Sequence, residues 1–175
     1  VASGKVDLLC GAVTDTLKRR ETVAFSIPIF NSGTGVLMRT DAPPALVNVL
    51  KGEQAYPGPR WRATVRGGLA DHTYAVHAGT TTEAWVREQI AGLGVTATVV
   101  TVDDHEEGVA MVLDKSADAY FGDRTILQKF VAQSKDGDEL MVANRYFSYE
   151  PLALALARND DDFRLLVDTT LSELY

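Results

Sequence analysis

Residues 73–102 read TYAVHAGTTTEAWVREQIAGLGVTATVVTV, and this stretch decides the fold class. Residues 73–77 and 96–102 are rich in β-branched and apolar side chains, so both segments predict strands. Between them, residues 82–93 place apolar side chains at helical spacing. A strand, a helix and a second strand in this order predict a parallel strand pair, and therefore an α/β fold.

The same alternation of strands and helices continues along the chain. Further strands are predicted at residues 35–39, 118–121 and 140–142, an extended apolar run at 151–157, and further helices at 105–113, 125–133 and 160–175. The segment from Lys51 to Asp71 breaks the alternation with two prolines, four glycines and little periodicity. We interpret it as a surface excursion in which Trp61 packs inward.

Composition and charge exclude several classes of protein. With 175 residues, of which 46% are hydrophobic and 23% charged, the chain is typical of a globular protein. Its net charge of -7 argues against nucleic-acid binding, which needs a basic face. No apolar run reaches the roughly 18 residues of a membrane helix, and no signal-peptide pattern is present.

Two expectations concern the start of the chain. Residues 1–5 resemble the end of a helix with its glycine stop, which predicts that the chain is cut from a longer protein. Cys10 is the only cysteine, so an internal disulfide is excluded. Because Cys10 ends the apolar strand predicted at residues 6–10, we expect its side chain to be buried.

A candidate anion site follows that first strand. Gly11 opens a turn of small residues, Thr14 supplies a hydroxyl and a backbone N–H, and Arg19 comes five residues later. Arginine presents a planar fork that binds a carboxylate through two parallel hydrogen bonds. The alternative is that Arg19 belongs, with Lys18 and Arg20, to a solvated basic cluster at a helix end.

Two other strand ends could hold charged groups. The turn at Gly79 leads into a helix whose N-terminus suits an anion, although Thr80 and Glu83 also fit an ordinary capping box. Asp123 follows a predicted strand, and ligands of open α/β sheets lie outside the carboxyl ends of strands. Asp123 is therefore placed to meet an ammonium group, and it can also cap the next helix.

Five motifs in this order resemble the bacterial extracellular solute-binding proteins of family 3, the polar amino-acid receptors of ABC importers. The motifs are Gly11–Arg19, Phe25–Phe30, Gly79–Thr81, Ala117–Asp123 and Asp162–Asp168. The resemblance implies a two-lobed type II periplasmic-binding-protein-like α/β fold with mixed, mostly parallel sheets. It implies an incomplete lobe 1 at residues 1–32 and 149–175, and lobe 2 at residues 33–148. It also implies a periplasmic or extracellular protein with neither metal nor cofactor.

The resemblance further implies how the ligand is held. The α-carboxylate falls to Arg19, with Thr14 and the backbone at Ala12, and Thr80 and Thr81 complete this grip. The α-ammonium falls to Asp123. Arg20 could compete with Arg19, since Lys18-Arg19-Arg20 replaces the family's acidic-arginine pair. The partners expected are an amino acid and the membrane permease of the importer, and the incomplete lobe predicts that the chain self-associates.

Two other functions are compatible with the same fold. A cyclohexadienyl-dehydratase-like enzyme would need a proton acid or base, for which the candidates are His72, His77, His105 and Glu150. Because His105 stands in the acidic run Asp103–Glu107, we expect it on a solvated face, and we expect no catalytic residue. The third function is a ligand-sensing domain of a receptor or kinase.

Overall fold

The computed structural model describes residues 1–11, 13–52 and 62–175, which divide into two compact units. Unit 1 comprises residues 1–33 and 148–175, and unit 2 comprises residues 34–147.

The helices and strands follow in chain order. Unit 1 begins with β1 (Leu8–Leu9), α1 (Leu17–Arg20), β2 (Ala24–Phe25) and β3 (Phe30–Ser32). Unit 2 contains β4 (Thr34–Arg39), α2 (Pro44–Lys51), α3 (Arg62–Leu69), β5 (Thr73–His77), α4 (Thr81–Leu93), β6 (Thr98–Val102), α5 (His105–Leu113), β7 (Ala119–Asp123), α6 (Arg124–Gln133) and β8 (Leu140–Val142). The chain returns to unit 1 with β9 (Glu150–Leu152), β10 (Ala155–Leu156) and α7 (Asp161–Leu174).

Unit 2 is built on a five-stranded mixed sheet in the order β6-β5-β7-β4-β8. β5 pairs in parallel with both β6 and β7, which confirms the strand–helix–strand unit predicted from residues 73–102. The expectation of mixed sheets is confirmed, but most ladders between the described strands are antiparallel, because β4 runs opposite to its neighbours and unit 1 has only antiparallel ladders. β4 pairs with β7 on one side and with β8 on the other, and both ladders are antiparallel.

The core of unit 2 lies on both faces of this sheet. Successive residues of a strand point to opposite faces, so Val36 and Leu37 enter different apolar clusters. One cluster contains Tyr74 and packs against helix α4. The other contains Tyr120 and packs against α5 and α6. The sheet therefore holds the ends of β5, β6 and β7 in a fixed arrangement.

Unit 1 contains only short antiparallel ladders. Its sheets have the orders β1-β10-β2 and β3-β9, so the predicted run at residues 151–157 is divided between two sheets. Of the strand predicted at residues 6–10, only Leu8–Leu9 is a strand in the structure, and Leu9 is 47% exposed. Cys10 is exposed, not buried as predicted, because no described element covers this part of unit 1.

Helix α7 forms where the aspartate-rich start and the apolar spacing predict a helix. The Asp160 side chain accepts a hydrogen bond from the backbone N–H of Phe163 and so caps the N-terminus of α7. None of its residues is buried, and Leu165, Leu166 and Leu174 are exposed. Its apolar side is therefore covered only in part: Phe163, Val167 and Leu171 are half-buried, whereas Leu166 and Leu174 remain exposed.

Two features complete the description. Within the segment from Lys51 to Asp71, residues 62–69 form α3, whereas residues 53–61, and with them Trp61, lie outside the described residues. In the ranges that the structure describes, no helix combines the length and the apolar character needed to cross a membrane.

Candidate functional site

In unit 1, Arg19 lies beside the main chain of Thr14. Thr14 forms an isolated antiparallel bridge with Leu152, and the flanking hydrogen bonds are made by the neighbours of both residues. In such a pair the N–H and C=O of Thr14 point away from the partner strand, to one common side. Arg19 Nη1 donates to this C=O over 2.8 Å. The Thr14 N–H and the Arg19 guanidinium thus share one edge of the strand, which suits a carboxylate.

The hydroxyl of Thr14 has a different role from the one the sequence suggested. Thr14 Oγ1 donates to Glu150 Oε2 over 2.9 Å, and Ser148 Oγ donates to Glu150 Oε1 over 2.9 Å. The single hydroxyl proton of Thr14 is thereby directed at Glu150. The donor that Thr14 retains for an anion is its backbone N–H.

The structure distinguishes Arg19 from Arg20 by their partners. Arg20 forms a two-pronged ion pair with Asp15, in which Nε donates to Oδ1 over 2.7 Å. This hydrogen bond raises the pKa of Arg20 above its ordinary value. Arg19, by contrast, makes no ion pair with any carboxylate of the described residues. Arg20 therefore has a partner within the chain, and Arg19 keeps its charge available.

In unit 2, the carboxyl ends of β5, β6 and β7 lie along one edge of the sheet, because these three strands are parallel. We call this edge the carboxyl edge; it carries His77 at the end of β5, Val102 at the end of β6 and Asp123 at the end of β7. The chain then turns from His77 into helix α4. The predicted positions Thr80, Thr81 and Asp123 are thus brought to one end of unit 2.

Thr80 caps helix α4, as the capping interpretation predicted. Its Oγ1 accepts from the N–H of Glu83 over 3.2 Å and donates to the carbonyl of His77 over 2.7 Å. Glu83 accepts in return from the N–H of Gly79, whose φ of 71° favours glycine, and this bond lowers the pKa of Glu83. The hydroxyl of Thr80 is occupied, so the turn can offer an anion the dipole of the helix N-terminus at Thr81.

Asp123 combines two roles at the carboxyl edge. Its Oδ1 accepts from the backbone N–H groups of Thr125 and Ile126 at 2.9 and 3.2 Å, which caps helix α6. Its Oδ2 accepts no hydrogen bond from the residues that the structure describes. A partly buried carboxylate with one oxygen satisfied and the other open suits a cationic ligand group.

His105 also lies at the carboxyl edge, a position that the sequence did not predict. It is the first residue of α5 and is partly buried, not on a solvated face. Its ring centroid lies 5.3 Å from that of His77, and burial, followed by His77, lowers the pKa of His105. The available signal was its position three residues after the end of β6, next to the other strand ends.

The other residues considered for proton transfer are not gathered at this edge. His72 precedes β5, and its Nδ1 lies 3.2 Å from Asp118 Oδ1, which precedes β7, so both stand at the opposite edge of the sheet. Among the residues with described positions, no group of three or more His, Cys, Asp or Glu side chains could hold a metal ion. Ala12, predicted to bind through its backbone, lies outside the described residues.

Known structures with a similar fold align with nearly the whole of this chain. A putative binding component of an ABC transporter from Wolinella succinogenes, complexed with lysine, matches 99% of this chain and 66% of its own with a TM-score of 0.76 and 22% identity. An ancestral amino acid-binding protein, described as a precursor of cyclohexadienyl dehydratase, matches 99% of this chain and 65% of its own with a TM-score of 0.74 and 22% identity. These similarities confirm the predicted type II periplasmic-binding-protein fold.

The sequence has relatives as well. The L-glutamate/L-aspartate-binding protein of Pseudomonas aeruginosa is 26% identical over 175 residues, which cover 100% of this chain and 52% of the relative. The chain spans about half the length of the curated relatives it matches. The profile of the family described as "Bacterial extracellular solute-binding proteins, family 3" matches residues 1–175. Because this match extends over the whole chain, the protein belongs to the bacterial extracellular solute-binding proteins, family 3.

Proposed function

We propose that this chain is the ligand-binding part of a receptor for an α-amino acid. One observation carries the proposal: among the described residues, Arg19 has no carboxylate partner and Asp123 has one oxygen without a hydrogen bond. A charge held without a partner in a partly buried place is costly. An α-amino acid brings the two opposite charges that these groups lack.

The proposal gives the carboxylate and the ammonium of the amino acid separate partners. The α-carboxylate goes to the guanidinium of Arg19 and the N–H of Thr14, with the backbone of Ala12 added from the family resemblance. The N-terminus of α4 at Thr80 and Thr81 favours the same negative charge through its dipole. The α-ammonium goes to Oδ2 of Asp123, which keeps its capping bonds through Oδ1.

For the ligand's side chain we propose a carboxylate, as in L-glutamate or L-aspartate. The relative in Pseudomonas aeruginosa is named for these two amino acids. In this chain, His77 and His105 stand at the carboxyl edge together with Asp123. An imidazole N–H donates to a carboxylate, whereas it offers nothing to the ammonium of lysine.

We further propose binding without catalysis, outside the cytoplasmic membrane, with the permease of an ABC importer as partner. The family consists of extracellular solute-binding proteins, and one structural relative is described as a binding component of an ABC transporter. Within the chain, both oxygens of Glu150 accept hydroxyl hydrogen bonds, and His72 lies away from the carboxyl edge. These positions favour a binding site over an acid–base pair.

The test is to identify the ligand of the full-length protein. Small molecules released by denaturing protein purified from cells are identified by mass spectrometry, and calorimetry then compares L-glutamate, L-aspartate, L-lysine and L-arginine. We expect an acidic amino acid to bind at least about tenfold more tightly than a basic one, a difference of about 1.4 kcal/mol. Preference for L-lysine would contradict the side-chain assignment, and no binding of any amino acid would contradict the function.

Self-association of the 175-residue chain is a separate proposal. In unit 1, Leu17 is 83% exposed, and α7 exposes Leu166 and Leu174 as well. Exposed apolar patches and open strand edges favour association. We expect sedimentation to show dimers or larger species that increase with concentration. Replacing Leu166 and Leu174 with glutamate should shift the chain toward monomers, and a wild-type chain that stays monomeric at high concentration would contradict the proposal.

A further inference from the structure

A buried tyrosine lies directly beneath His105. Tyr120 is fully buried on β7, and its hydroxyl lies 2.7 Å from Nδ1 of His105. Helix α5 passes close to this ring, because a Cβ added to Gly108 would lie 2.5 Å from Cε2 of Tyr120. The phenol is thus held in place by the sheet on one side and by a glycine of α5 on the other.

The direction of this hydrogen bond follows from the surroundings of Tyr120. Burial raises the pKa of the Tyr120 hydroxyl, which therefore keeps its proton. Among the described residues, His105 is the only hydrogen-bond partner of this hydroxyl. If the hydroxyl accepted a hydrogen bond from Nδ1–H, its own buried O–H would have no acceptor among the described residues, which is unfavourable. Tyr120 therefore donates to Nδ1, and a neutral His105 carries its proton on Nε2.

The charged groups around His105 come from three elements. His77 lies at the end of β5, Asp123 at the end of β7, and Asp104 caps α5 itself. The two aspartates raise the pKa of His105, but burial and His77 outweigh them and lower it. Helix α6 contributes the uncharged Phe130, whose ring centroid lies 5.8 Å away, and β6 ends in an apolar valine. A hydrogen bond donated to Nδ1 favours the neutral imidazole further.

We propose that Tyr120 is a positioning residue that holds His105 as the neutral Nε2–H tautomer, a donor for the ligand's side chain. Because Nδ1 faces the fully buried Tyr120, the partly exposed side of the ring carries Nε2. Such a donor recognises a hydrogen-bond acceptor and not a charge. The side chains it suits are therefore carboxylates and amides, and this assignment of the ligand rests on the proposed function.

The tautomer is tested directly by nitrogen NMR on the full-length protein labelled at histidine, with His105→Gln to assign the signals. We expect the neutral ring of His105 to show the Nε2–H pattern. Tyr120→Phe should produce a mixture of tautomers and move the titration of His105 to higher pH. A wild-type His105 whose neutral ring carries its proton on Nδ1 would overturn the proposal whether or not the variant folds.

Tyr74→Phe is a matched control on the neighbouring strand. Tyr74 is also buried, and its hydroxyl donates to the carbonyl of Leu69 over 2.8 Å. This substitution removes a buried hydroxyl bond without touching His105. We expect it to leave the His105 signals unchanged. If it disturbed them as much as Tyr120→Phe, the effect would be general loosening of unit 2 and the positioning role would be refuted.

Ligand binding provides a second readout. Calorimetry with L-glutamate between pH 6 and pH 8 should show a weaker pH dependence of affinity for the wild type than for Tyr120→Phe, which should bind more tightly at the lower pH. A pH dependence that is as steep for the wild type as for Tyr120→Phe would overturn this inference alone. Wild-type protein that does not bind L-glutamate would overturn the proposed ligand, while the NMR result would still decide the tautomer.

Discussion

Arg19→Lys in the full-length protein is expected to weaken the binding of L-glutamate by about 100-fold, or about 2.7 kcal/mol. Lysine keeps the positive charge but loses the fork that binds a carboxylate through two parallel hydrogen bonds. It also loses the bond by which Nη1 of Arg19 holds the carbonyl of Thr14, so the Thr14 N–H is less well placed. Calorimetry at one pH and salt concentration measures the change.

Arg20→Lys is the matched control, one residue away. Arg20 is 56% exposed and is paired with Asp15, and exposed ion pairs contribute only about 0.2–1 kcal/mol. We therefore expect this variant to bind L-glutamate within about threefold of the wild type. Equal and small losses for both variants would show that neither arginine grips the α-carboxylate.

The second large effect concerns the α-ammonium. The full-length protein should bind L-glutamate at least about 100-fold more tightly than glutarate, which lacks only the amino group, because an unpaired buried charge costs about 3 kcal/mol or more. Glutarate would leave Oδ2 of Asp123 without a partner. Asp123→Asn should narrow this ratio to about tenfold or less, because a neutral amide does not require a cation. Equal binding of the two ligands by the wild type would contradict the assignment of Asp123.

Asp123 also caps α6, so a loss of stability must be separated from a loss of recognition. Asparagine caps a helix about as well as aspartate, and we expect the melting temperature of Asp123→Asn to stay close to that of the wild type. Asp160→Asn makes the same change at the cap of α7, where Asp160 accepts from Phe163 over 3.1 Å. This control should leave the ratio of L-glutamate to glutarate unchanged.

Much of unit 2 could be predicted from local sequence patterns. The β-branched and apolar side chains of residues 73–77 and the helical spacing of 82–93 locate β5 and α4, because both patterns reflect neighbours within a few residues. The capping roles of Thr80 and Asp123 could also be predicted from local sequence, because the helices that they cap start one residue later. The pattern is weaker in unit 1, where strands of two or three residues carry too few side chains to show a period.

The sequence by itself determined the fold class, the family and the strand ends at which Thr80 and Asp123 stand. Only the tertiary structure decided two contacts. The hydroxyl of Thr14 donates a hydrogen bond to Glu150, 136 residues away, and His105 packs on Tyr120 although its neighbours in sequence are acidic. The reason is physical: helix and strand periods arise from interactions between near neighbours. The hydrogen-bond partner of a side chain depends on which groups are buried next to it. That in turn depends on how strands that are distant in sequence pack together.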